Sequence, residues 1–216
     1  MHEADLPDYF LAREGYLKTI GAVEPNLFAP IVNPGLVGGP VWPALRESWR
    51  CVRRDKNTIL ISDGLSDPWD DEDENVGLGT EVLVETSEAL GPNVAATWLF
   101  DLVYGVSQQA ASSGAFRELR DELGLFSSEI HAPAALRKFS SAEGHVGVLF
   151  GVPAPSLPLE WNLPSGLVRV VTATLLHPSE LLHIRQFDQA GRSRVSEMLV
   201  EAGFGHLSLV DRSPVV

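Results

Sequence analysis

A chain of 216 residues, 44% of them hydrophobic, with 5 Trp and 9 Phe, is long enough for one substantial core. Its formal net charge of −13 argues against nucleic acid, whose phosphates need Lys and Arg to displace counterions, and against anionic membrane surfaces. Cys51 is the only cysteine, which rules out an intrachain disulfide and points to the cytoplasm, with the thiol read as buried and inert.

The start, Met1-His2-Glu3-Ala4-Asp5, has neither the basic head nor the apolar run of a secretory leader. No stretch reaches the roughly 18 apolar residues of a membrane span. Residues 7–20 read as a first helix, with Asp5 placed to cap it and Pro7 suited to its first turn. Tyr9, Phe10, Leu17 and Ile20 recur near helical spacing, and Gly21 is the stop. Residues 24–43 hold five prolines and three glycines. They are expected as an irregular connection, ordered where Phe28, Ile31, Val37 and Trp42 pack down.

A strand is expected over 45–52 and another over 58–61, where Thr58-Ile59-Leu60-Ile61 is β-branched and aliphatic between turn formers. Residues 81–85, Glu-Val-Leu-Val-Glu, are polar at the ends and apolar inside, and read as its partner strand. The link between these two is too long for a two-residue turn. It carries Gly64-Leu65-Ser66-Asp67, then Pro68-Trp69, then the run Asp70, Asp71, Glu72, Asp73, Glu74, and finally Gly77-Leu78-Gly79. Gly, Asp and Pro there hold backbone shapes that β-branched residues avoid. A Trp in the middle of six carboxylates is unusual for a plain solvated loop.

After a turn at Gly91-Pro92-Asn93, with Asn93 as the cap, a helix is expected over 94–109, with Trp98, Leu99, Leu102, Val103 and Val106 on one side. Residues 116–123 read as a short amphipathic helix stopped by Gly124, and 126–143 as a loop rich in Ser, Ala and His. A strand over 146–150 follows, then an irregular connection with four prolines over 153–164, then a β-branched central strand over 167–176. Helices over 178–187 and 192–202, the second ended by Gly203, and a last strand over 206–210 complete the order. This alternation is too irregular for evenly spaced βαβ units. The expected fold class is α+β: a mixed, mainly antiparallel sheet with helices packed against it. A single domain is expected over 1–216, with 1–43 forming a helix plus an irregular extension.

Gly64-Leu65-Ser66-Asp67 followed by Gly77-Leu78-Gly79-Thr80-Glu81-Val82 resembles the suppressor-of-fused family. There a Gly-Leu-Ser-Asp segment precedes an acidic loop and a Gly-x-Gly-x-Glu-Leu strand. The family's Trp-led helix is matched at Trp98. Gly166 with the strand at 168–174, Glu180-Leu181 opening a helix, and Leu209-Val210-Asp211-Arg212 then fall in the family's order, so the resemblance runs over 45–212. It implies that Gly64, Leu65, Ser66, Asp67, Gly77, Gly79 and Glu81 form a structural motif. It also implies protein binding. Animal members sequester zinc-finger transcription factors by gripping a peptide in a cleft between two domains, with strand addition contributing. Bacterial members often look like immunity proteins that neutralise a cognate toxin.

Ser66 sits in a turn, which can expose a nucleophile, but no Gly-x-Ser-x-Gly elbow surrounds it and its acidic neighbours oppose an oxyanion. Bonding of Ser66 and Asp67 to turn amides is the simpler role. The acidic run does not fit a calcium loop, whose sixth position is Gly, because counting from Asp67 that position is Glu72. His177, Glu180 and His183 lack the spacing of a zinc helix, and Pro178, Ser179 and Glu180 suit a helix start. His131 and His145 stand isolated, and Gly35 to Gly39 lacks the Lys-Ser/Thr of a phosphate loop. No enzyme, cofactor or metal site is expected.

The expected function is non-catalytic protein binding, in its sharper form an immunity protein that neutralises a toxin domain. Trp69 with Asp70, Asp71, Glu72, Asp73 and Glu74 is the expected partner-facing lip, since Trp anchors interfaces and an acidic surface steers a basic partner. The competing expectation is a metal-dependent enzyme with a carboxylate site between Asp67 and Glu81.

Overall fold

The computed structural model describes residues 8–69 and 75–216. Helix α1 (Asp8–Ile20) forms where Arg13, Tyr16, Leu17 and Ile20 fall on one buried stripe. Asp8 in its first turn and Lys18 in its last suit the helix dipole. The expected roles of Asp5 and Pro7 fall outside the described residues. Strand β1 (Ala22–Phe28) follows at once and pairs antiparallel with β2 (Trp49–Arg54). This corrects the irregular connection expected from residue 24. Pro25 is tolerated because β1 lies at the sheet edge and its register breaks between Val23 and Leu27.

The chain then loops back through short 3-10 turns at Pro34–Val37 and Pro43–Leu45. Of the side chains expected to hold this loop, Trp42 is buried and Phe28 half-buried, while Ile31 and Val37 are exposed. The strand expected over 45–52 accordingly starts late, at Trp49. A two-residue turn at Asp55-Lys56 joins β2 to β3 (Asn57–Ser62). After the long link, β4 (Thr80–Thr86) pairs with β3, as the sequence indicates, and it is buried along its whole length.

Helices α2 (Trp98–Ser113) and α3 (Phe116–Leu123) lead into strands β5 (Phe126–His131), β6 (His145–Phe150), β7 (Glu160–Leu163) and β8 (Gly166–Leu175), and then into α4 (Pro178–Glu201). The strand order is β1-β2-β3-β4-β8-β6-β5, with β7 also pairing on β8. Only β4 and β8 run parallel among the described strands, so the sheet is mixed and mainly antiparallel, with helices on its faces. No helix of the described residues is long and apolar enough to cross a membrane.

Several boundaries need correction. Residues 94–96 form a 3-10 turn, and α2 starts at Trp98 after Thr97, with no side-chain cap bond from Asn93 or Thr97. The stretch from 126 to 131 is a strand, not a loop. Its polar residues are held from outside, Ser128 by Gln109 and Glu129 by Arg185. Trp161 and Leu163 alternate inward and make a short strand of residues expected to be irregular. The last strand, expected over 206–210, is absent because side chains replace the ladder. Ser208 Oγ accepts from Leu175 N at 2.9 Å and donates to the Ala173 carbonyl at 3.1 Å. The two helices expected over 178–187 and 192–202 are both present: α4 is two helical segments that meet at a kink at Asp188, which sits at φ 48° and ψ −123°.

The parity of the strands sorts three cores. Cys51, Leu60, Val82, Val84, Val171 and Ala173 face Leu99, Leu102, Val103 and Val106 of α2. Val52, Ile59, Ile61, Leu83, Val168 and Val170 face Tyr16, Leu17 and Ile20 of α1. Leu149 and Leu176 meet Leu181, Ile184, Val195 and Leu199 of α4. Each such fully buried aliphatic side chain contributes about 1.5–3 kcal/mol. On β4, Glu81 and Glu85 share the parity of Leu83, so two carboxylates are carried to the α1 side of the sheet. They frame the regions described next.

Candidate functional site

The link from β3 to β4 is a built turn. Asp67 N donates to the Gly64 carbonyl at 3.2 Å, Leu78 N to Leu65 at 2.8 Å and Gly79 N to Val76 at 2.7 Å. Two glycines are required by packing. A Cβ on Gly64 would lie 2.1 Å from the Arg46 carbonyl oxygen. One on Gly77, at φ +56°, would lie 2.1 Å from the Asp67 carbonyl oxygen. Asn75 ties the neck of the acidic run: its Oδ1 accepts from Trp69 N at 2.9 Å and Gly77 N at 2.8 Å, and its Nδ2 donates to the Trp69 carbonyl at 3.3 Å. Trp69 itself is half-buried. Asp70, Asp71, Glu72, Asp73 and Glu74 lie outside the described residues.

Beneath the turn is a buried charge network. Arg13 of α1, 2% exposed, donates to Asp67 Oδ1 at 2.5 Å and to Ser66 Oγ at 3.2 Å, and its Nη1 lies 3.1 Å from Asp63 Oδ1. Arg46 donates to Asp67 Oδ2 at 2.6 Å, to Asp63 Oδ1 at 2.8 Å and to Ser48 Oγ at 2.9 Å. Arg50 pairs with Glu14 and stands 3.8 Å from Asp63 Oδ2. Burial opposes ionisation of Asp63, but the guanidinium groups of Arg13, Arg46 and Arg50 outweigh it and hold the carboxyl below its ordinary value.

Glu81, fully buried, has no guanidinium in hydrogen-bond reach among the described residues. It accepts instead from Ser62 Oγ, from Ser66 Oγ at 2.7 Å, from Ser66 N at 3.0 Å and from Gly64 N at 3.2 Å. Burial pushes its carboxyl from 4.5 up to about 6, against the pull of Arg13 and the serine hydroxyls. The Tyr16 hydroxyl, held on the Pro158 carbonyl at 2.9 Å, is raised by burial and then by Glu81. The expected bonds from Ser66 and Asp67 side chains to turn amides are therefore corrected. Glu81 takes the amides, Ser66 bonds Glu81, and Asp67 is committed to two arginines.

The motif residues Gly64, Leu65, Ser66, Asp67, Gly77, Gly79 and Glu81 thus come together around one turn. Asp67 is 1% exposed and Leu65, Ser66 and Glu81 are fully buried, so these side chains do not meet solvent. Sequence reading missed Arg13, Arg46, Arg50 and Asp63. Arg13 left a signal, a charge inside an apolar helical stripe. The partners of Arg46 and Arg50 left none.

Other expected residues also find their places. Glu180 and Arg212, quoted above as separate motif matches, form a buried pair at 2.5 and 2.6 Å, and Glu180 further accepts from His177 N and Val215 N. His183 packs on Phe187 with ring centroids 4.7 Å apart. His131 and His145 are not isolated: the β5–β6 register sets them opposite each other, centroids 6.1 Å apart. His206 Nε2 lies 2.7 Å from Glu85 Oε2, beside a cleft of about 410 Å³ that Arg54 and Asn57 also line. Burial opposes ionisation of Glu85, but His206 and Asn57 outweigh it and lower its carboxyl. Among the described residues no hydroxyl or thiol is hydrogen-bonded to the His206 ring, the group that would activate a nucleophile; Thr174 Oγ1 donates to the His206 backbone carbonyl at 3.0 Å. Cys51 is a free buried thiol that burial pushes up to about 12, as expected of an inert one. No cluster of three or more His, Cys, Asp or Glu that could hold a metal ion occurs among the described residues.

The sequence matches no family model and no curated protein. Solved structures do match the fold. The crystal structure of the Sufu–Fu complex aligns over 89% of this chain and 85% of that one, with a TM-score of 0.55 and 17% identity. The crystal structure of Drosophila Suppressor of Fused aligns over 100% of this chain and 54% of that one, with a TM-score of 0.65 and 15% identity. This chain therefore spans about half the length of the Drosophila protein. On these alignments the chain has the suppressor-of-fused fold.

Proposed function

We propose that this chain is a non-catalytic protein-binding module of the cytoplasm, that it works as a single domain, and that its partner is a basic toxin domain which it neutralises as an immunity protein. One observation carries the reading. The charged groups beneath the β3–β4 turn are spent within the fold, Asp67 on two arginines and Glu81 on serine hydroxyls and turn amides, with Asp67 1% exposed and Glu81 fully buried. Chemistry at a substrate needs an accessible group; a scaffold that fixes a turn does not. The turn it fixes carries Trp69 and the run Asp70, Asp71, Glu72, Asp73 and Glu74. That sequence supplies an aromatic anchor and five carboxylates to steer a cationic partner. The fold it shares includes a protein whose crystal structure is a complex, the Sufu–Fu pair, which supports binding as the general role.

The test is affinity capture from the native cell, followed by growth assays with the recovered protein. A basic toxin whose lethality is relieved by this chain, and whose association slows about tenfold or more when the five acidic residues become Asn and Gln, is the expected result. Recovery of no protein would count against it. A melting temperature raised by several degrees by calcium, magnesium or zinc would favour the carboxylate enzyme instead.

A further inference from the structure

Helix α2 buries Leu99, Leu102, Val103, Val106 and Ala110 against the sheet. Its other side presents Asp101, Tyr104, Gln108 and Ser112, again at helical spacing. With Ile130 of the outer strand β5 and Pro133 just past it, these residues line a groove of about 550 Å³. Gly105 lets the strand come close, since a Cβ there would stand 2.8 Å from Ile130 Cδ1.

Two lining amides, and Glu47 behind Gln108, hold unspent acceptors. Its lining includes no Lys or Arg. Gln108 Nε2 donates to Glu47 Oε2 at 2.8 Å and Gln109 Nε2 donates to Ser128 Oγ, which fixes both amides with their oxygens free. Gln108 Oε1, Gln109 Oε1 and Glu47 Oε1 are buried without a hydrogen-bond partner among the described residues, and Glu47 is only 4% exposed. Asp101 likewise has no ion pair or side-chain hydrogen bond among the described residues. Burial raises the carboxyl groups of both Glu47 and Asp101 with no cation to offset it. Glu129 on the far wall is already held by Arg185 at 2.6 and 2.7 Å. A buried acceptor left unpaired is costly, so a ligand that brings N–H groups recovers that cost.

Tyr104 completes the set. It is 37% exposed, and its ring is steadied by Trp49 and Phe100 at centroid distances of 5.4 and 6.4 Å. A fixed aromatic face, amide oxygens and an unpaired carboxylate around one groove match a planar guanidinium with five donors better than a hydrated ammonium. The rim is apolar, with Pro40 in the lining and the neighbouring Val37 and Val41 72% and 47% exposed. Pro43, three residues on, lies beneath Gly77, which puts the groove near the turn of the proposed partner face.

We propose that the groove between α2 and β5 receives an arginine of a partner protein, its guanidinium on Tyr104 and donating to Asp101 and Gln108, with flanking apolar residues on Pro40 and Ile130. The assignment rests on the reading of the chain as a protein-binding module. It can be tested on the free protein by NMR titration with acetyl-Gly-Leu-Arg-Leu-Gly-amide and its citrulline and norleucine counterparts. The arginine peptide should move amides of 101–112 and 129–133 and saturate. The two neutral peptides, and the arginine peptide on Asp101→Asn, should bind at least about fivefold more weakly. Tyr104→Leu, which keeps the apolar bulk, should weaken it as well. Shifts elsewhere, equal binding by the norleucine peptide, or indifference to Asp101→Asn would overturn the assignment. So would shifts of these same amides on concentrating the protein alone, which would seat a second copy there. A failed titration beside a successful affinity capture removes the groove and leaves the binding module. Empty capture beside a successful titration does the reverse.

Discussion

Glu81 and Asp63 belong to one network and respond oppositely to pH. Asp63 is lowered by its arginines, so its contribution to stability is present above its unfolded value and is lost as pH falls through the folded one. Glu81 is raised from 4.5 to about 6 by burial. Its contribution is full below 4.5 and is lost as pH rises through about 6, a change of roughly 2 kcal/mol. Urea unfolding of wild type and Glu81→Gln, at about pH 4 and about pH 7, isolates this group. The difference should shift toward the variant by about 2 kcal/mol on raising the pH, and a flat difference would show that Glu81 ionises normally. Arg13 is the other test at this scale. Arg13→Met leaves Asp67 and Asp63 short of a buried cation and should cost about 3–5 kcal/mol. Arg46→Met should cost less, because the Arg46 side chain is 25% exposed and water takes up part of the loss.

At the scale of elements, the turn depends on its glycines. Gly77 combines φ +56° with backbone 2.1 Å from where a Cβ would go, so Gly77→Ala should cost at least about 1–3 kcal/mol in urea unfolding. Gly91→Ala, with nothing within 4 Å, is the control and should change little. What the sequence disclosed follows the same physics. β4 was legible because Val82, Leu83 and Val84 are apolar and turn formers bound it. The Gly64 to Glu81 motif was legible as a pattern, but its purpose was not, because Arg13 reaches Asp67 across 54 positions and no local signal announces such a pair. β5 looks like a loop in sequence because Ser127, Ser128 and Glu129 give no alternation; α2 and α4 hold them from outside. β1 was hidden by Pro25, which only an edge strand accepts. Conversely, the alternation at 206–210 suggested a strand where Ser208 bonds through its side chain. The groove beside β5 was invisible because it combines a helix face with a strand 25 or so positions away, joined only by tertiary packing.

At the scale of the whole molecule, a net charge of −13 acts in two directions that salt separates. Like charges repel one another in the compact state, and screening that repulsion stabilises the fold. The buried pairs of Arg13, Asp63 and Asp67, and of Glu180 and Arg212, are shielded from salt by burial and should not weaken with it. Raising ionic strength from about 0.01 M to about 1 M shortens the Debye length from about 30 Å to about 3 Å, so the melting temperature of the free protein should rise. Association with a basic partner should slow over the same range, because steering is a long-range effect that the same screening removes. Calorimetry and stopped-flow association kinetics on one salt series read both responses. A melting temperature that falls with salt would mean that surface pairs such as Arg185–Glu129 outweigh the repulsion. An association rate insensitive to salt would mean that the acidic surface does not steer the partner, and would leave the apolar rim and the arginine groove to carry recognition.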